Sequence, residues 1–450
     1  MRTVADRLSE FICNLSFERV PVEVIEKVKI CSLYCIGNGM ASYNLPTAKA
    51  ARDLIKKYEP GNAATLIGGG GKVSLMGAAF ANSILFHARG VDDTHGSSHF
   101  GTTIIPPALA VSEFIGASGR EFLLSVITGY EVGAAVSKDL TALTTPRGFR
   151  ASAIFGILGV AAAVSRLLGY SVSQIRDSLG MAAAFAGGTT EQYLFGSAEG
   201  KFQVGMAARN GIMAALLPGF GMDGAGTSIE GRAGFCKAFA GSAEKIEKIG
   251  EELGRVYEIL NVTFKPYPAC VYNQTPINAM QNLVKKYDVQ PSAVQKIQIF
   301  MNPYDANYPG LKYCGPFINK YQQQLSTAFL MAKMLVDRKI GAIEECLNDP
   351  NIMSLCNKTE IVDDNGICPL CCRLRVQLTD GKILEENVSI TPEYYFFDME
   401  KTKQFIRTLH EDNHIPETIT INLINHIQRI EALHDLKTLT DLICWNKEVR

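Results

Sequence analysis

The chain has no surplus of charge of either sign. Its 450 residues include 44 Lys and Arg against 45 Asp and Glu, for a formal net charge of −1, and no run of like charge stands out. Proteins that bind nucleic acid or anionic membranes electrostatically carry a basic patch, so neither is an expected partner. Any affinity for an anionic substrate must come from a local cationic pocket.

Long hydrophobic runs are also missing. The longest mostly apolar stretch, 151–164, ends at Ser165 and is too short to span a bilayer, so we expect no membrane partner. The first sixteen residues lack the basic and then apolar segments of a secretory signal. Twelve cysteines without such a signal favour reduced thiols and a cytoplasmic location.

Two familiar binding motifs are incomplete. The glycines at 68–71 precede Lys72, but Val73 stands where a phosphate loop requires Ser or Thr. The run CPLCC at 368–372 has no second C-x-x-C, so buried strand thiols are favoured over zinc. We therefore predict no metal and no nucleotide at either place.

The hydrophobic periodicity predicts a mainly α protein. The length exceeds one ordinary core, residues 3–220 show helical spacing almost throughout, and 294–301 alternates as a strand does. We expect a large all-helical domain (1–265, completed by 400–450) and a smaller α+β lid domain (266–399). The predicted helices are 22–40, 73–89, 106–117, 121–136, 151–168, 204–217, 323–338, 343–347, 399–408 and 418–436. The predicted strands are 294–301, 373–378 and 383–388, the last two joined by a hairpin turn at Thr379-Asp380-Gly381-Lys382.

One segment, 87–113, concentrates groups able to transfer protons in a Gly/Ser-rich stretch that leads into a helix at Pro106. Its central polar residues are Asp92, Asp93, Thr94, His95 and His99. Carboxylates and imidazoles this close shift each other's pKa toward values useful in proton transfer. One alternative is a polar loop in which Asp92 or Asp93 caps a helix. Another is a zinc site on His95, His99 and an aspartate, although the Gly-Ser-Ser between the histidines interrupts the helix that would align them.

This segment resembles the signature of the MmgE/PrpD family, H-A-x-x-x-D-D-T-H followed by a further histidine and a P-A-L-A-x-x-E helix. Three later segments follow the order of the family's other motifs. The matching residues are His87-Ala88, Asp92-Asp93-Thr94-His95, His99, Pro107-Ala108-Leu109-Ala110, Glu113, Gly148-Phe149-Arg150, Lys201-Phe202-Gln203-Val204-Gly205 and Lys265-Pro266-Tyr267-Pro268-Ala269-Cys270. The resemblance spans essentially the whole chain.

The resemblance implies a homodimer, a small anionic carboxylate as substrate, and chemistry without metal or organic cofactor. The family's activities are dehydration of 2-methylcitrate, decarboxylation of cis-aconitate and epimerisation of iminodisuccinate, all at a carbon flanked by carboxylates. By the same carry-over, Thr94 and His99 fall on active-site positions. Lys201 lies at the family lysine or one residue from it.

Four positions depart from the family pattern. Arg150 replaces the histidine of G-F-H, and Gln203 replaces that of K-x-L-H. Gly90 stands where the decarboxylase has an acidic residue, and Cys270 lies near its histidine after K-x-Y-P. The missing imidazoles disfavour decarboxylation and citrate-type dehydration, and the arginine resembles the epimerase-like branch. Epimerisation is therefore the favoured reaction, with lyase chemistry as the alternative.

Epimerisation requires a base, an acid and cations that stabilise the enolate-like charge. We predict Lys201, His99 and Asp93 as catalytic groups, with a surface position as the alternative for Lys201. Arg150 is predicted to hold a carboxylate through both guanidinium nitrogens, with a structural ion pair to Asp139 as its alternative. The other predicted substrate contacts are Thr94, Asp92, His95, Tyr272 and Tyr313.

The tyrosines have a second interpretation. Tyr304, Tyr308 and Tyr313 lie in a Pro/Gly/Asn-rich loop at 302–316 that could cover the pocket, and Tyr272 follows the domain junction. Aromatic packing is the alternative fate for each. Two other classes of function also stay open: a carboxylate-binding protein without chemistry, and a metal-dependent hydrolase that uses His95 and His99.

Overall fold

The chain forms two compact units. The computed structural model describes residues 2–69, 71–242, 246–341, 348–389 and 395–445. The larger unit comprises 1–189, 201–263 and 397–450, and the smaller unit comprises 190–200 and 264–396. The boundary predicted from the sequence lies two residues later, and the prediction included 190–200 in the helical domain.

The larger unit is mostly helical, which confirms the predicted mainly α fold, but its short strands show that the prediction of an all-helical domain was wrong. Its α-helices are Val4–Asn14, Val22–Ala41, Pro46–Tyr58, Leu75–His87, Phe100–Ile115, Gly119–Thr144, Ala151–Ile154, Gly156–Leu167, Val172–Phe185, Glu199–Leu216 (from Lys201 onward), Phe235–Ala240, Met399–Asp412, Glu417–Gln428 and Lys437–Ile443. Single 3-10 turns lie at Phe17–Arg19, Thr145–Arg147, Leu217–Phe220, Ile246–Lys248, Glu258–Asn261 and Ile430–Ala432. Its strands are Pro60–Leu66, which pairs antiparallel with Gly71–Val73, and Asp93–Thr94; Thr263–Phe264 straddles the unit boundary.

Small residues let the central helices approach closely. A Cβ on Gly159 would lie 2.7 Å from the carbonyl oxygen of Gly129, and a Cβ on Gly129 would lie 2.9 Å from that of Gly159. Real Cβ atoms do not sit this close, so the helices Gly119–Thr144 and Gly156–Leu167 can pack as they do because both positions are glycine. Glycine at these two positions thus allows this pair of helices to pack closely.

The helix Met399–Asp412 packs on the helix Val22–Ala41 and completes the larger unit. His410 Nε2 lies 3.0 Å from the carbonyl oxygen of Gly37, and Ile406 fills the space that a side chain at Gly37 would occupy. Because Ile406 and His410 are buried, the chain's last part supplies core to its beginning.

One helix begins earlier than its prolines suggest. The prediction began it at Pro106, whereas the helix spans Phe100–Ile115 with Pro106 and Pro107 inside. Its first turn is held by tertiary contacts, because the Asp93 carboxylate accepts the Gly101 N–H and Ser152 Oγ accepts the His99 N–H. Orphan N–H groups at a helix start need such acceptors, and here they come from outside the local sequence.

The smaller unit is built on a mixed sheet with helices. Its strands run in the order Thr359–Asp363, Val294–Met301, Cys372–Leu378 and Ile383–Val388, the first pair parallel and the others antiparallel. Its α-helices are Glu191–Phe195, Gln274–Tyr287, Pro303–Ala306, Lys320–Leu325, Thr327–Asp337 and Pro350–Cys356, with 3-10 turns at Val271–Asn273 and Pro291–Ala293. The predicted hairpin is confirmed: Gly381 has φ 88° and its N–H donates to the Leu378 carbonyl at 3.0 Å.

Other expectations from the sequence concern a helix, the cysteine run at 368–372, membrane spans and metal sites. The predicted helix 343–347 lies outside the described residues. Buried strand thiols were expected at 368–372, but only Cys372 is buried in a strand, whereas Cys368 is exposed and Cys371 half-buried. Within the ranges that the structure describes, no helix combines the length and hydrophobicity that a bilayer crossing requires, and no three His, Cys, Asp or Glu side chains are grouped so as to hold a metal ion.

Candidate active site

His87, at the last turn of the helix Leu75–His87, is the centre of a buried polar cluster in the larger unit. Its Nδ1 lies 3.0 Å from Asp92 Oδ1, and its Nε2 lies 2.7 Å from Arg150 Nη2. A guanidinium only donates hydrogen bonds, so Nε2 accepts and the ring proton resides on Nδ1, which donates to Asp92. His87 is therefore neutral. Burial lowers its pKa well below the usual range and the Lys201 and Arg150 charges lower it further, against the opposing effect of Asp92.

The backbone around His87 is fixed by buried contacts. Asn38 Nδ2 donates to the carbonyls of Phe86 and Val91 at 2.7 and 2.8 Å, which ties the helix end to the residues just before Asp92. Asp92 itself is fully buried. The Asp92 carboxylate thus orients the His87 ring, and through that ring it supports Arg150.

Lys201 is anchored on the same residue as Arg150. Its Nζ donates to the His87 carbonyl oxygen at 3.1 Å, an oxygen at the negative end of the helix dipole, where a cation is stabilised. Gly90 has φ 77°, and a Cβ at that position would lie 3.5 Å from Lys201 Nζ. Arg150, only 3% exposed, contacts the His87 ring while Lys201 contacts the His87 backbone, so two cations converge on one histidine.

His99 is oriented from both its backbone and its ring. Its N–H donates to Ser152 Oγ at 3.0 Å, and its Nδ1 lies 3.0 Å from the Asp93 carbonyl oxygen. A carbonyl only accepts, so Nδ1 carries the proton in this contact and Nε2 is the basic nitrogen. The His99 ring lies 5.6 Å from the His87 ring, centroid to centroid. His99 thus belongs to the same cluster as Arg150 and Lys201.

Asp93 supports the helix that follows His99. One carboxylate oxygen accepts the Gly101 N–H at 3.0 Å and the other accepts the Tyr130 hydroxyl at 2.5 Å. The side chain is fully buried, and burial together with the Asp93 charge raises the Tyr130 pKa well above its usual range. These contacts fit the cap interpretation of Asp93 better than a role in proton transfer.

Thr94 and His95 contact the segment 258–263, which ends the second of the three stretches of the larger unit. Thr94 Oγ1 lies 2.6 Å from Thr263 Oγ1. His95 Nε2 lies 3.0 Å from Glu258 Oε2, and this hydrogen bond is the largest reason why the Glu258 pKa falls to about 2. His95 is thus engaged by a carboxylate of the protein.

A buried carboxylate holds the backbone of that segment. Glu131, on the helix Gly119–Thr144, accepts the N–H groups of Glu258 and Ile259, both at 2.9 Å. Burial raises the Glu131 pKa to about 7, despite the opposing effect of these two hydrogen bonds. Glu131 therefore fixes the turn that presents Glu258 to His95.

The two predicted tyrosines lie in the smaller unit. Tyr272 is buried, and its ring lies 4.7 Å from that of Tyr308 and 6.3 Å from that of Tyr304, centroid to centroid. The Tyr313 hydroxyl donates to the Pro316 carbonyl oxygen. Both side chains therefore take part in the packing or turn structure of their own unit, and substrate contact by either stays a prediction.

Sequence reasoning missed the role of His87. It was quoted as part of a motif, but its spacing from Arg150 gave no sign that the two side chains meet. Ser152 and Glu258 were also missed, because neither lies in a segment with a recognisable pattern. The available signal for His87 was the pair of carboxylates, Asp92 and Asp93, five and six residues later in the chain, because a neighbouring carboxylate commonly orients an imidazole.

Comparisons with known proteins cover almost the whole chain. Residues 6–247 match the MmgE/PrpD N-terminal domain, and residues 267–396 match the MmgE/PrpD C-terminal domain. The chain is similar to cis-aconitate decarboxylase of Aspergillus terreus, with 25% identity over 414 residues, 86% of this chain and 84% of the relative. It is also similar to cis-aconitate decarboxylase of Homo sapiens, with 24% identity over 462 residues, 98% of this chain and 95% of the relative. A third relative, the cis-aconitate decarboxylase-like protein oryM of Aspergillus oryzae, is 26% identical over 417 residues, 86% of each chain.

Proposed function

The chain belongs to the MmgE/PrpD family and is an acid–base enzyme of the isomerase or lyase type, and we propose that it epimerises a small iminodisuccinate-like amino dicarboxylate. One observation carries the proposal. His87 is contacted by three groups: Arg150 and Lys201 donate hydrogen bonds to it, and the His99 ring lies beside its ring. This places a guanidinium, an amine and an imidazole in one cluster.

Arg150 supplies the anion site. Guanidinium binds a carboxylate through two parallel N–H bonds, and such charge-assisted pairs are strong where water is excluded. Arg150 is buried, so its charge acts in a low dielectric. When the neighbouring carbon loses its proton, the charge that spreads onto the carboxylate grows, and Arg150 stabilises it.

His99 and Lys201 supply the proton transfers. The α-proton passes to His99 Nε2, and the electron pair of the broken C–H bond delocalises onto the adjacent carboxylate. The Lys201 ammonium then gives a proton to the same carbon on its other face. In the substrate only the α C–H bond is broken and re-formed, so product and substrate differ only in configuration. His99 is left protonated and Lys201 neutral, and proton exchange with solvent water restores both.

The remaining polar residues position these groups. Asp92 orients His87, Asp93 supports the helix start next to His99, and Glu258 engages His95. We therefore propose that Asp92 and Asp93 position the groups that act on the substrate. Thr94 contacts the substrate through its hydroxyl.

A second candidate is decarboxylation, favoured by the relatives. Three proteins similar to this chain over most of its length are cis-aconitate decarboxylases or a decarboxylase-like protein. In that reaction a C–C bond to a carboxylate breaks, CO2 leaves, and Lys201 or His99 gives a proton to the carbon left behind. The replacement of two family histidines by Arg150 and Gln203 argues for the epimerase instead.

Proton NMR in D2O with a panel of di- and tricarboxylates tests the proposal. Deuterium entering the α-position without loss of carbon or water is the expected result. A new alkene signal or released CO2 would replace epimerisation with lyase chemistry. We expect Arg150→Ala to raise KM and Lys201→Ala to lower kcat, whereas Lys57→Ala at an exposed position serves as the control. Unchanged kinetics in Lys201→Ala would remove that lysine from the mechanism.

A further inference from the structure

We infer that His87 is a positioning residue that sets the separation of Arg150 and Lys201, and through it the spacing of the two carboxylates that the site accepts. The inference rests on the proposed function. His87 touches both cations, with its ring on Arg150 and its backbone carbonyl on Lys201.

The ring contact is directional. Asp92 accepts the Nδ1 proton at 3.0 Å, which fixes the tautomer and turns the Nε2 lone pair toward Arg150 at 2.7 Å. A flexible arginine side chain loses rotamer entropy when it is held, and this hydrogen bond provides the holding contact before substrate arrives. The guanidinium keeps its charge because a neutral imidazole accepts from it without taking a proton.

The backbone contact fixes the second cation relative to the first. The His87 carbonyl accepts the Gly90 N–H and the Lys201 ammonium, each at 3.1 Å. The carbonyl and ring of one residue are joined by a few covalent bonds, so the two cations share a common anchor. Two anchored cations recognise a dianion by the distance between its charges.

Replacing the imidazole by amides separates its two hydrogen bonds. A Gln side chain reaches about as far as Nε2 of histidine and offers an acceptor to Arg150, whereas Asn reaches only the Nδ1 position next to Asp92. His87→Gln should therefore retain the hold on Arg150, and His87→Asn should lose it while keeping a donor for Asp92. Both variants leave the backbone carbonyl and hence the Lys201 contact in place.

Calorimetric titration with malonate, succinate and glutarate provides the test, since these probes differ in carboxylate spacing. The unmodified protein should prefer one probe, and His87→Gln should keep that preference. His87→Asn should bind that probe about tenfold more weakly and discriminate less among the three. If His87→Asn binds the three probes as tightly as the unmodified protein does, and in the same order of preference, the inference is overturned and the proposed function stands. If the unmodified protein binds none of the probes, the carboxylate site itself is refuted, and the inference with it. Circular dichroism of both variants shows that a loss of binding does not reflect unfolding.

Discussion

The buried Glu131 carboxylate should make the stability of the larger unit depend on pH near neutrality. In the folded protein Glu131 holds its proton up to a pKa of about 7, because burial disfavours the charge. In the unfolded chain the same group ionises near its ordinary value of 4.5. Between these two values the folded state binds more protons than the unfolded state, so the free energy of unfolding falls as pH rises.

The size of this effect follows from the shift. Each pKa unit corresponds to about 1.4 kcal/mol, and the interval from 4.5 to about 7 therefore corresponds to about 3 kcal/mol of stability lost between acidic and neutral pH. The stabilisation is fully present below 4.5 and is gone above about 7. Glu131→Gln removes the ionisation and, like the protonated acid, keeps an acceptor for one of the two N–H groups at Glu258 and Ile259.

Differential scanning calorimetry of both proteins at pH 5, 6, 7 and 8 measures the effect. Groups other than Glu131 titrate in both proteins, so the difference between the two pH profiles isolates this carboxyl. We expect the stability of the variant relative to the unmodified protein to increase by about 2–3 kcal/mol between pH 5 and pH 8, because a small part of the effect has already occurred by pH 5. Parallel profiles would refute the reasoning, because they would mean that Glu131 ionises alike in both states.

Two further substitutions probe the support of the helix that follows His99. Gly101→Ala should lower the free energy of unfolding by about 1–3 kcal/mol, because a Cβ there would lie 2.6 Å from Asp93 Oδ1 and 2.7 Å from the Tyr130 hydroxyl. Gly187→Ala, with open space around it, is the control. Equal melting temperatures of the two variants would contradict the prediction. Tyr130→Phe should cost about 1.5–3 kcal/mol, because it removes a donor to the buried Asp93 carboxylate. The matched control is Tyr257→Phe, also at a buried ring, and a loss no larger than in that control would show that the hydroxyl contributes nothing.

The hydrophobic pattern of the sequence predicted the bounds of those strands whose structure depends on neighbouring residues in the chain. The strands Val294–Met301 and Ile383–Val388 have the predicted bounds, because alternation of buried and exposed side chains is a property of the strand itself. The helix Phe100–Ile115 was predicted to begin six residues later. Its early turns depend on Asp93 and Ser152 as acceptors, and a rule that reads proline as a helix start cannot include such contacts.

The candidate site divides in the same way. Asp92 to His99 were predicted to act together as one segment, and these residues do lie together. Their partners come from far along the chain: Arg150 is 63 residues from His87 and Glu258 is 163 residues from His95. Spacing alone cannot predict such pairs, and only the order of the family motifs suggested that Arg150 and Lys201 belong beside this segment.

The packing of the helix Met399–Asp412 on the helix Val22–Ala41 can form only late in biosynthesis. His410 and Gly37, which share a hydrogen bond, are 373 residues apart. At a translation rate of about 5–20 residues per second, the ribosome makes the second partner about 20–75 seconds after the first. Throughout that interval the apolar helix Val22–Ala41 lacks the helix that packs on it in the folded protein. Its exposed apolar surface can therefore bind chaperones or aggregate before the core is complete.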